Sequence, residues 1–98
     1  MIRHTVVFSL VHASGSPEEA DFLRSAQSLA AIATVQNFEC LRQVGKKNPY
    51  SFGLSMEFED EAAYQFYNAH PKHLEFVQFR WGPEVRAFME IDYEPLSL

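Results

Sequence analysis

The chain has one cysteine in 98 residues, Cys40, so no intrachain disulfide can form. A lone thiol of this kind reads as a small buried hydrophobe and suits a reducing compartment. Glycine is also scarce. Gly15, Gly45, Gly53 and Gly82 stand far apart, which excludes a glycine-rich phosphate loop. Basic residues number eight against thirteen acidic ones, for a formal charge of −5. Arg3, Arg24, Arg42, Lys46, Lys47, Lys72, Arg80 and Arg86 are scattered along the chain, so no basic face is gathered for a phosphate backbone. Nucleic acid is not an expected partner. Long apolar runs are missing as well. His4 interrupts the apolar N-terminus and no basic segment precedes it, so neither a signal peptide nor a membrane span fits, and a cytoplasmic location is expected.

Apolar and aromatic residues are plentiful. Hydrophobic residues make up 47% of the chain, including nine Phe, four Tyr and one Trp. One domain over residues 1–98 has a high surface-to-volume ratio, so this excess predicts an interface or a pocket.

The apolar pattern resolves into short elements. Ile2, His4, Val6, Phe8 and Leu10 alternate with Arg3, Thr5, Val7, Ser9 and Val11, which predicts a strand apolar on both faces. Ser16-Pro17-Glu18-Glu19 predicts a helix start with Ser16 as N-cap, Pro17 at the first helical position and Glu19 completing a capping box. That helix is expected to run to about Ala33, with Phe22, Leu23, Ala26, Leu29, Ala30 and Ala33 on one face. Phe38 to Val44 predicts a second strand. Gly45 to Pro49 is a turn, and Tyr50, Phe52, Leu54, Met56 and Phe58 mark one face of a third strand.

Asp60 predicts the cap of a second helix that breaks before Pro71. Pro71 opens a short further helix with Leu74, Val77 and Trp81 as its apolar stripe, ended by Gly82-Pro83. Val85, Ala87, Met89, Ile91 and Tyr93 alternate with Arg86, Phe88, Glu90 and Asp92 as a fourth strand. The order is β-α-β-β-α-β, an α+β ferredoxin-like protomer whose sheet carries helices on one face only. The other face, bearing Thr5, Val7, Ser9, Val11, Ser51, Gly53 and Ser55, is expected to meet a second copy in a homodimer.

Several stretches resemble the stress-responsive dimeric α/β-barrel domain family. They are Ile2-Arg3-His4-Thr5-Val6-Val7-Phe8, the run from Tyr67 to Val77 with its Tyr-x-x-His-Pro-x-His pattern, Trp81, and Ile91-Asp92-Tyr93-Glu94-Pro95. The resemblance implies a protomer whose sheet joins its partner's to form a dimeric α/β barrel. It also implies a kinship with members resembling polyketide cyclases, in which a histidine at the position of His73 is the general base and a tyrosine at that of Tyr67 assists. His4 matches a first-strand histidine, and Phe52 stands where a pocket histidine sits in the plant cyclase type.

Chemistry supports the same choice of residues. An imidazole titrates near neutral pH and can act as base, and a phenol can donate to a developing enolate oxygen. His73 and Tyr67 are thus the catalytic candidates, and His4, Phe52, His70 and Trp81 the substrate-binding ones, for a small apolar carbonyl ligand. A non-catalytic reading stands beside this one: His70 fixes the chain break, while His73 and Tyr67 form a buried polar link in a stress-related dimer. A third alternative is a relative of the monooxygenases that share the dimeric ferredoxin-like architecture. His-x-x-His interrupted by Pro71 gives no continuous helical face for a metal, so no metal or other cofactor is expected on side chains. Glu57, Glu59, Asp60 and Glu61 read as a strand end and helix N-terminus, and His12 as a solvated loop residue. On the other reading, Trp81 and Tyr93, each spaced with apolar neighbours, are expected to stabilise the protomer and its contact rather than bind ligand.

Overall fold

The computed structural model describes residues 1–98. Its elements are β1 (Ile2–Leu10), α1 (Pro17–Gln27), β2 (Gln36–Arg42), β3 (Phe52–Phe58), α2 (Glu61–Ala69), α3 (Pro71–Phe76) and β4 (Val85–Tyr93). The sheet order is β2-β3-β1-β4, with every neighbouring pair antiparallel. This is the ferredoxin-like arrangement, with the helices packed on one face.

Period-two alternation sets which residues face the helices. Val6, Phe8, Phe52, Leu54, Met56 and Phe58 are buried there with Phe22, Ala26 and Leu29 of the first helical segment. Each large apolar side chain removed from water in this way contributes about 1.5–3 kcal/mol. Phe8 lies at the centre, its ring centroid 5.9 Å from Phe22, 5.8 Å from Phe52 and 5.0 Å from Trp81. The opposite sheet face has no cover within the protomer. One row across it reads Leu41, Gly53, Val7, Met89, and the next Glu39, Ser55, Thr5, Ile91. Leu41, Met89 and Ile91 are exposed there.

The caps form largely as their residues dictate. Ser16 Oγ accepts from the Glu19 amide at 3.2 Å, and Asp60 Oδ1 accepts from the Ala63 amide at 2.8 Å. The Glu19 carboxylate accepts from the Gly15 amide, one residue earlier than a capping box requires.

Other boundaries differ from expectation. The first helix tightens into a 3₁₀ turn over Ser28–Ala31, where the Ser28 hydroxyl bonds back to the Ser25 carbonyl at 2.6 Å. The tighter winding turns Ala30 and Ala33 to solvent and Ile32 into the core. β2 begins and ends two residues early. Its start is irregular, with Asn37 at positive φ, and the Gln43 side chain bonds Gly45, Asn48 and Tyr50 to build the turn. β3 is shorter at both ends than its alternation suggests. After α3 the chain does not stop at Gly82-Pro83: a π turn over Val77–Trp81 leads to a last helical turn, Gly82–Glu84. Of the expected stripe Trp81 packs against the core, whereas Leu74 and Val77 are exposed and Phe76 is buried in their place. His12 is not solvated alone. Its Nε2 lies 2.7 Å from Glu84, which Arg80 also holds at 2.7 Å.

Candidate functional site

The break between α2 and α3 builds one side of the site. Pro71 has no amide hydrogen, so the Tyr67 carbonyl accepts instead from the His70 amide at 3.1 Å. The Lys72 amide, which a continuous helix would direct to Asn68, donates to His70 Nδ1 at 3.1 Å. The Asn68 carbonyl is left orphaned at the helix end and accepts from His73 Nδ1 at 3.0 Å. A carbonyl only accepts, so Nδ1 carries the hydrogen and Nε2 keeps its lone pair on the far edge of the ring. The Tyr67 ring packs on this imidazole, centroids 4.4 Å apart.

A second polar set sits across the sheet. His4 and Asp92 are paired across β1 and β4, and His4 Nδ1 lies 2.6 Å from Asp92 Oδ1. The Tyr64 hydroxyl donates to Asp92 Oδ2 at 2.9 Å and lies 2.9 Å from His4 Nδ1. The carboxylate accepts from both, which fixes the Nδ1–H tautomer of His4. His4 also faces the Tyr67 ring at 6.3 Å.

His4, Tyr67, His73 and Trp81 all line one cavity of about 330 Å³ between sheet and helices. Its apolar wall includes Val6, Leu54, Met56, Phe76 and Phe88. The π turn carries Trp81 into this wall, where the indole stands 5.5 Å from Phe88 and 5.0 Å from Phe8. Two of the sequence candidates do not belong to the cavity. Phe52 is buried beside Phe8, its partner across β1 and β3, and borders a separate depression with Arg42 and Tyr50. His70 caps α3 and packs on Phe66, since its ring is spent on the chain break.

Burial pushes the His73 imidazole below its ordinary value, against the opposing pull of the Asn68 carbonyl, so His73 is neutral at neutral pH. Burial, reinforced by the Glu90 charge, pushes the Tyr67 hydroxyl up, and burial with the Asp92 contact does the same for Tyr64. Both phenols are therefore donors. Sequence reasoning missed Tyr64, Asn68, Glu90 and Asp92 as site residues. Tyr64 stands one turn before Tyr67 on α2, and Asn68 and Asp92 lie inside stretches that carry the family resemblance; Glu90 had no local signal.

The family model described as the Stress Responsive A/B Barrel Domain matches residues 2–95. The chain belongs to this family. A Dabb-family protein with a ferredoxin-like fold from Mesorhizobium loti is 59% identical to this Dabb domain, covering 98% of it and 97% of its own chain, with a TM-score of 0.97. A crystal structure of an Arabidopsis thaliana protein is 26% identical over 100% of this chain and 98% of its own, with a TM-score of 0.82. A Bacteroides fragilis protein of unknown function, described as dimeric and ferredoxin-like, is 20% identical over 95% and 94% of the two chains, with a TM-score of 0.72. That last likeness is one of fold. No curated protein matches this chain. Its longest helical segments are also too short and polar to cross a membrane.

Proposed function

We propose that this Dabb domain works as a homodimer that binds a small apolar carbonyl compound and removes a proton α to its carbonyl. The observation that carries the reading is the His73 tautomer. The Asn68 carbonyl holds Nδ1–H, leaving a neutral Nε2 as the basic atom beside Tyr67 at the apolar cavity. In the reaction Nε2 takes the α-proton, the C–H electron pair moves into the enolate, and the Tyr67 hydroxyl donates to the enolate oxygen. The His4–Asp92–Tyr64 set touches the same cavity and orients one wall of it. The dimer rests on the uncovered sheet face, where the exposed Leu41, Met89 and Ile91 surround the half-buried Val7 and need a partner.

The test is proton exchange in deuterated water, which needs no cofactor. Benzoylacetone and related β-dicarbonyls are followed by NMR for deuterium uptake at the α-carbon. The wild type should exceed the buffer rate, and His73→Gln should lower exchange by about a hundredfold. Tyr67→Phe should lower it less. Exchange at the buffer rate, with no binding of any apolar carbonyl probe, would refute the reading.

A further inference from the structure

One carboxylate at the cavity has no part in the hydrogen bonding of the site. Glu90 lies on β4 opposite Val6, on the helix-covered face. The row it ends reads Cys40, Leu54, Val6, Glu90, so it is the one charged residue in an otherwise apolar row. It lines the cavity but makes no hydrogen bond and no ion pair with any side chain of the protomer. Its field nevertheless reaches His73, Tyr64 and Tyr67, raising the proton affinity of each. The lining contains no lysine or arginine. Arg80, next in sequence to the cavity residue Trp81, is paired with Glu84 and Asp21. Glu90 is itself exposed to solvent, so its unneutralised negative charge stands at the open rim of an otherwise apolar cavity and acts there partly screened.

We propose that Glu90 makes this cavity selective by charge: it accepts apolar ligands whose polar end is neutral or cationic and rejects carboxylates and phosphates. This rests on the reading that the cavity is the ligand site. A ligand acid entering here meets no counter-charge, and its own desolvation adds to the repulsion. An amide or hydroxyl can donate to Glu90, and an ammonium gains a charge-assisted hydrogen bond. The same carboxylate favours the imidazolium that His73 becomes when it accepts a proton.

Three probes with one skeleton separate the charge from the apolar contact: phenylpropionate, phenylpropionamide and phenylpropylamine. Trp81 is the single tryptophan of the chain and lines the cavity, so its fluorescence reports occupancy. In the wild type at neutral pH the carboxylate should bind about tenfold or more weaker than the amide, the effect of one partly screened charge a few ångströms away. The amine should bind at least as well as the amide. Glu90→Gln should bring the carboxylate to within about threefold of the amide by removing that charge, and Glu90→Lys should reverse the order. A wild-type carboxylate affinity equal to the amide's overturns the charge selection and leaves the cavity reading standing. Discrimination that survives in both variants also overturns it, since the charge then lies elsewhere. Failure of all three probes to alter Trp81 emission overturns both readings together.

Discussion

Truncating Trp81 tests the core and the cavity at once. The indole is half-buried and lies within 5.0 Å of Phe8, 5.5 Å of Phe88, 6.2 Å of Phe22 and 6.3 Å of Phe76, centroid to centroid. Removing a fully buried tryptophan costs about 3–5 kcal/mol. One face of Trp81 borders the cavity and is not packed, so Trp81→Ala should cost about 2–3 kcal/mol, the lost aromatic contacts included. A domain of this size loses about 4–8 °C in Tm per kcal/mol, which gives a fall of roughly 8–24 °C. The assay is thermal unfolding followed by circular dichroism, at one fixed protein concentration because association shifts Tm. Trp81→Phe keeps a ring against Phe8 and should cost about 1 kcal/mol. A Tm for Trp81→Ala within about 4 °C of the wild type would show that the indole contributes little beyond its exposed surface, and the account of the π turn would fail.

Two further outcomes follow from the sheet face and the buried imidazole. Sedimentation at micromolar concentration should give the mass of two chains, and Val7→Asp, in the middle of the uncovered face, should give one; a well-behaved monomeric wild type would refute the dimer. Burial holds His73 below its ordinary value of about 6.5, so as pH falls the unfolded chain takes the proton first. The stability His73 contributes is present above pH of about 6.5 and is lost as pH falls through the folded value. Denaturant midpoints between neutral and mildly acidic pH should therefore drop more steeply for the wild type than for His73→Gln. Equal slopes would show that the imidazole is not desolvated.

Much of the fold was legible because its signals are local. Alternation along Phe52, Leu54, Met56 and Phe58 depends only on the strand repeat, and all four are buried. Ser16-Pro17 and Asp60 mark helix starts because a cap acts within one turn. His70-Pro71 marks the break because proline lacks an amide hydrogen. Local winding was less legible: the 3₁₀ turn after Gln27 precedes the buried Ile32 and the π turn at Val77–Trp81 ends on the core-packed Trp81, placements that no local pattern marks.

The sequence by itself therefore determined the element order, the helix caps and the identity of His4, Tyr67 and His73 as polar groups within apolar segments. Only the tertiary structure decided which further residues join these three at the cavity. Asp92 is 88 residues from His4, and no pattern in either strand announces the pair. Register between β1 and β4 joins them, as it sets Glu90 beside Val6. Phe52 and His70 are close in character to the true lining residues, yet core packing takes one and the chain break the other. A side chain's type is written at its own position, but its partners are fixed by strand pairing and helix packing, which couple residues far apart along the chain.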